Sequence, residues 1–130
     1  MVVVKVAADV VGVVDDDEGI RVGLDGLLRS AGFQVVAFPS AEALLESAWL
    51  PRVACLILDL HLPDMDGLSL QRRLVREDRQ IPVIVLTAHG DGEARAQAMD
   101  KGAVAFLTKP FDSGLLLAEV TRALTRRQGE

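Results

Sequence analysis

The sequence predicts an α/β domain in which a five-stranded parallel sheet is wound by helices on both faces. Three features carry this. Five short β-type runs alternate with five helical stretches along the 130 residues. Several runs are apolar at consecutive positions, as in parallel strands covered on both sides. The connections are short, so each strand–helix–strand passage must cross over right-handed.

The first run is Val10-Val11-Gly12-Val13-Val14. The helix after it carries Ile20, Leu24, Leu27, Leu28 and Ala31 at the spacing of one apolar face, and Gly32 stands where a helix C′ glycine belongs. Gly19, Gly23 and Gly26 interrupt that helix, each costing up to ~1 kcal/mol relative to alanine. No function in the sequence accounts for them. Gln34-Val35-Val36-Ala37 is the second run, and Ser40 is a good N-cap for the second helix. Trp49, next to Pro51, is expected to pack behind that helix.

Ala54-Cys55-Leu56-Ile57-Leu58 forms the third run. Asp66 caps the third helix, whose Arg72, Arg73, Arg76 and Arg79 make a solvated face. Val83-Ile84-Val85-Leu86 is the fourth. The fourth helix, Glu93-Ala94-Arg95-Ala96-Gln97-Ala98-Met99, offers mainly alanines to the core and follows Gly90-Asp91-Gly92, which predicts a loosely held element. Gly102 ends it. Val104-Ala105-Phe106-Leu107 is the fifth run, and Asp112 caps a last helix with Leu116, Val120, Ala123 and Leu124 inward. One domain is expected over 1–130, with 1–9 an extension or strand lead-in and 125–130 a tail or the start of a missing linker.

Composition excludes several classes. Fourteen Lys+Arg against 19 Asp+Glu leave a net charge of −5, wrong for a chain that binds nucleic acid by itself. With 50% hydrophobic residues the chain is not intrinsically disordered. A single cysteine, Cys55, cannot form an internal disulfide and suits a reducing compartment. It lies inside a strand, where a buried, inert thiol is expected. Apolar runs fall far short of the ~20 residues of a membrane span. The start is broken by Lys5 and Asp9, unlike a signal peptide. A cytoplasmic protein is expected.

Ligands of such sheets bind at the carboxyl ends of the strands, beside the point where strand order reverses. The residues just past the strands are Asp15, Asp16 and Asp17, then Asp59, Thr87, and Lys109-Pro110. Carboxylates gathered there repel, a pair at 4 Å by about 4 kcal/mol at an effective dielectric of 20. A divalent cation removes that penalty, and oxygen-only ligands suit Mg²⁺. A lysine and a hydroxyl facing the same point suggest a phosphoryl group. Taken singly, Asp15-Asp16-Asp17 reads as a polar loop capping a helix, and Thr87 and Lys109 say little. Their joint occurrence at four strand ends carries the inference.

Four stretches extend the pattern: Val13-Val14-Asp15-Asp16-Asp17; Leu56-Ile57-Leu58-Asp59-Leu60-His61-Leu62-Pro63-Asp64-Met65-Asp66-Gly67; Val85-Leu86-Thr87-Ala88; and Gly102-Ala103-Val104-Ala105-Phe106-Leu107-Thr108-Lys109-Pro110-Phe111. In order and spacing the chain, from about Val10 to Leu124, resembles the receiver domain of two-component response regulators. It is similar to those that often precede a LuxR-type helix-turn-helix output domain. The resemblance implies a flavodoxin-like (βα)5 sheet of strand order 2-1-3-4-5. It implies Asp59 as phosphoryl acceptor, and Mg²⁺, with Mn²⁺ as a substitute, held by Asp15, Asp16, Asp59 and the backbone carbonyl of His61. Lys109, Thr87 and Ala88 would bind the phosphoryl group, Thr87 and Phe106 would form the switch, and the Lys109–Pro110 bond would be cis. The implied partner is a sensor histidine kinase. A homodimer through the fourth helix, fifth strand and fifth helix is a family expectation. DNA would be met only through an output domain absent from this chain, and no membrane is involved.

Rival readings are weaker. A Mg²⁺-dependent aspartyl-phosphate phosphatase wants a second acid two residues after its nucleophile, where this chain has His61. A binding-only pseudo-receiver normally lacks one of Asp16, Asp59 or Lys109, and all three are present. A dinucleotide domain would need G-x-G-x-x-G after the first strand. His61 and His89 flank the site and read either as exposed loop residues or as side chains at its mouth; without a third ligand they make no zinc site.

Overall fold

The computed structural model describes residues 9–88 and 90–128; expectations for residues 1–8, for His89 and for the last two residues lie outside the described residues. Five strands, β1 (Val10–Val14), β2 (Val35–Phe38), β3 (Val53–Leu58), β4 (Val83–Thr87) and β5 (Ala103–Thr108), alternate with α1 (Glu18–Ser30), α2 (Ala41–Leu45), α3 (Gly67–Arg76), α4 (Gly92–Asp100) and α5 (Ser113–Gln128). All pairings are parallel and the order is β2-β1-β3-β4-β5. Every residue of β1, β3 and β4 is buried, whereas the edge strands β2 and β5 have partly exposed positions. That is why the central runs are apolar throughout.

Two cores result, one on each face. Leu44, Leu70, Leu74 and Ala98 bring α2, α3 and α4 against one side of the sheet, over Val14, Leu56, Leu58 and Val85. Leu24, Leu28, Leu116 and Val120 bring α1 and α5 against the other, over Val13, Cys55, Ile57 and Leu86. Burial pushes the Cys55 thiol up to about 12, so it stays protonated and inert.

Local chemistry sets the helix ends. Asp17, Ser40, Asp66, Asp91 and Asp112 accept from the backbone N–H three residues on, at the start of all five helices. Gly32 and Gly102 take φ of +96° and +100° to end α1 and α4. Three expectations need correction. Ala31 is the C-cap of α1 and exposed, because the helix stops before it can face the core. Trp49 is 41% exposed, with the Arg52 guanidinium over its ring at 5.7 Å, because a 3-10 turn, Leu50–Arg52, buries Leu50 in its place. Arg79 lies beyond the end of α3, half-buried in the following loop.

Gly23 and Gly26 have nothing within 4 Å of where a Cβ would stand. Alanine at each is expected to stabilise the fold by about 1 kcal/mol, through helix propensity alone. Urea midpoints of the single and double variants should shift additively at unchanged slope.

Candidate functional site

The register of the central strands assembles the site. Val14 pairs with Leu58, so the next residues, Asp15 and Asp59, emerge side by side at the carboxyl edge. Backbone bonds carry the ladder one step past each strand: Asp15 N–H donates to Phe38 C=O at 3.1 Å, and Asp59 N–H to Val14 C=O at 3.0 Å. On the other side Lys109 N–H donates to Thr87 C=O at 3.0 Å, just before the cis Lys109–Pro110 bond. The site therefore stands over the β1–β3 crevice, where the chain winds outward in opposite directions.

Lys109 Nζ donates to Asp15 Oδ2 at 2.7 Å and to Asp59 Oδ2 at 3.1 Å. Asp59 Oδ1 accepts from the His61 N–H at 3.1 Å, and Asp15 Oδ1 from the Asp17 N–H at 2.9 Å. Asp15 and Asp59 are buried while Asp16 is exposed, and one carboxylate oxygen from each lies within 4.8 Å of the others. Burial pushes the Asp15 carboxyl above its ordinary 3.8, more than its bonds to Lys109 and the Asp17 N–H pull it down. Burial alone would depress the Lys109 ammonium, but Asp15 and Asp59 outweigh it and hold its pKa above the ordinary 10.5. Three acids and one lysine give the cluster a formal charge of −2. That excess, and the unfavourable burial of Asp15, fit a divalent hard cation with oxygen ligands.

Thr87 is fully buried at the end of β4, with Ala88 exposed beyond it. Thr87 points to the same face as Val85 by the two-residue period, and Val85 pairs with Phe106. Thr87 and Phe106 thus share one side of adjacent strands. Phe106 is buried, with Arg95 of α4 at 5.8 Å from its ring centroid. Gly90 closes over it: a Cβ there would stand 2.7 Å from Phe106 Cε1. Of the nine residues of α4 only Ala98 is buried, while Ala96 faces solvent. His61 is exposed.

Two site residues escaped the sequence reading. Asp64 accepts from the Ala41 and Glu42 N–H groups at 3.3 and 2.8 Å, pinning the loop after β3 to the start of α2. Burial is the largest single influence and raises its pKa, but N–H donors from Glu42, its own residue, Ala41 and Met65 together hold it below the usual range. No local pattern signals such a bond across 22 residues. Gly67 stands against the backbone of Asp59 and Leu60, and its presence after the cap Asp66 was the available signal.

Fold and site together describe a doubly wound α/β protein with a lysine-bridged acidic pocket at the point where its strand order reverses. The response regulator receiver domain family matches residues 11–121. The chain belongs to this family. It is 44% identical over 117 residues to nodulation protein W of Bradyrhizobium diazoefficiens, covering 90% of this chain and 52% of that protein. It is 38% identical over 118 residues to the transcriptional regulatory protein FixJ of the same organism, covering 91% and 57%. Among solved structures, the response regulator StyR superposes with a TM-score of 0.84 at 42% identity, over 93% of this chain and 63% of StyR. FixJ-N superposes at 0.80 with 39% identity, over 90% and 94%. The chain spans about half the length of the curated relatives it matches. Receiver domains bind Mg²⁺ through an acidic pocket and are phosphorylated by sensor histidine kinases; they are signalling domains of two-component systems, not turnover enzymes. No helix among the described residues is long and apolar enough to cross a membrane.

Proposed function

We propose that this chain is a switch set by phosphorylation of Asp59. The observation that carries the reading is the Lys109 ammonium bridging Asp15 and Asp59 beside a third acid, Asp16. A carboxylate oxygen of Asp59 forms a bond to phosphorus as the P–N bond to a kinase imidazole breaks, and the electron pair of that bond remains on nitrogen. Lys109 offsets the charge that gathers on the transferred oxygens. Asp15, Asp16, Asp59 and the His61 carbonyl would hold the Mg²⁺ ion, or Mn²⁺ in its place. When bound, it supplies the positive charge that lets an anionic nucleophile meet an anionic group. Ala88 N–H and the Thr87 hydroxyl complete the donors.

The test is incubation with acetyl phosphate and Mg²⁺. A mass gain of one phosphoryl group, mapped to Asp59, is expected; no adduct, or steady turnover of phosphate esters without one, overturns the reading.

Relay follows by packing. Drawing the Thr87 hydroxyl toward the phosphoryl group opens the space beside Phe106, and the ring's new position reaches α4 through Gly90 and Arg95. The α4-β5-α5 face then controls dimerisation, a partner, or a DNA-binding output like those of the related transcriptional regulators. Thr87→Ala is expected to take up phosphate like the parent yet fail to change its oligomeric state or partner affinity. Sedimentation with and without acetyl phosphate decides it.

Asp15 supplies a further expectation. A carboxyl whose pKa is raised on folding stabilises below its unfolded value of 3.8, and that contribution is lost as pH rises through the folded value. At neutral pH ionised Asp15 therefore weakens the metal-free fold. Asp15→Asn should raise the melting temperature without Mg²⁺ and weaken Mg²⁺ binding by roughly tenfold or more. Thermal scans across a Mg²⁺ series measure both.

A further inference from the structure

The metal site needs one ligand that no strand positions. Asp15 and Asp59 emerge from paired strands, whereas the His61 carbonyl stands on the connection between β3 and α3. That connection is closed on itself: Asp59 Oδ1 accepts from the His61 N–H, and the Gly67 N–H donates to the Leu60 carbonyl at 2.8 Å. Leu62 and Met65 rest half-buried on the core, a contact without direction.

Asp64 supplies the direction. Its Oδ2 accepts from the Glu42 N–H at 2.8 Å, and its Oδ1 from the Ala41 N–H at 3.3 Å and the Met65 N–H at 3.1 Å. Ala41 and Glu42 open α2, where helix N–H groups lack partners within the helix. Bonds from such groups to a carboxylate are about twice as strong as neutral ones. The helix is a firm post, because Ala41 and Leu44 are fully buried. Only Leu62 and Pro63 separate Asp64 from His61, and the proline ring fixes φ. The anchor therefore reaches the His61 peptide with little slack.

We propose that Asp64 is a positioning residue for the metal site: it fastens the β3–α3 connection to the start of α2 and so sets where the His61 carbonyl stands. The inference rests on the phosphorylation reading, which supplies the ion and the role of that carbonyl. Without the Asp64 bonds the carbonyl is held only by its own loop, and Mg²⁺ binding weakens. Coupling is reciprocal, so an ion held at the carbonyl also steadies the first turn of α2.

The test titrates the unphosphorylated, ¹⁵N-labelled protein with MgCl₂ and follows the backbone amide shifts. Asp64→Ala is expected to weaken Mg²⁺ binding about tenfold, the lower end of what outer-shell partners cost. Asp64→Asn keeps one acceptor oxygen and should fall between that variant and the parent. Ser40→Ala removes the other cap of α2, the acceptor of the Ala43 N–H at 3.1 Å, and should bind Mg²⁺ as the parent does. In the parent, saturating Mg²⁺ should slow hydrogen exchange at the Ala41 and Glu42 amides. Equal affinity of Asp64→Ala and the parent overturns the proposal, and so does unchanged exchange at those two amides. An Asp64→Asn as weak as Asp64→Ala overturns it too, since the lost charge is then the whole effect. A Ser40→Ala weakened to the same degree does likewise, since helix stability then explains both. If the parent itself binds no Mg²⁺, the phosphorylation reading falls and the proposal with it.

Discussion

Asp59→Asn is expected to abolish the phosphoryl adduct completely while leaving a folded protein. An amide oxygen carries no charge with which to attack phosphorus, and neither other acid of the cluster holds the same position. Asp15 is tied to Lys109 at 2.7 Å and to the Asp17 N–H at 2.9 Å, and Asp16 is exposed. The fold survives because asparagine matches aspartate in size and one repelling charge has gone. It does not survive untouched, since an amide cannot accept on both sides: either the His61 N–H or the Lys109 ammonium loses its bond to residue 59. Intact mass after acetyl phosphate treatment reads the first effect and a urea midpoint the second. An adduct of undiminished yield in this variant would move the acceptor elsewhere.

Gly67→Ala is expected to cost about 3 kcal/mol, the upper part of the overpacking range. A Cβ there would stand 2.7 Å from the Asp59 carbonyl oxygen and 2.8 Å from the Leu60 Cα, both backbone atoms that cannot swing aside. The Gly67 N–H also donates to Leu60 C=O at 2.8 Å, so the start of α3 cannot simply back away. Relief must come from shifting the chain at Asp59 itself. Stability and phosphorylation should therefore fall together. A midpoint within about 0.5 kcal/mol of the parent would show that the approach is softer than the distances imply.

Much of this was legible along the chain because the signals are local. Apolar runs located all five strands within a residue or two, and Ser40, Asp66, Asp112, Gly32 and Gly102 marked helix ends as they do in the structure. Trp49 and Ala31 were misplaced because an apolar side chain reads as core, yet Leu50 takes the core position beside Trp49, and α1 ends before Ala31 can face inward. The candidate site was legible as a set of residue types at strand ends, with no distances attached.

The alternation of strands and helices, their caps, and the acids, hydroxyl and lysine that crown the strands are all written locally along the chain. Folding was needed to reveal that Lys109 bridges carboxylates 94 and 50 residues away and that Asp64 reaches across to α2. The difference is one of range. Hydrophobic period and capping act within a few residues, whereas hydrogen bonds and desolvation depend on which strands lie side by side and in what register.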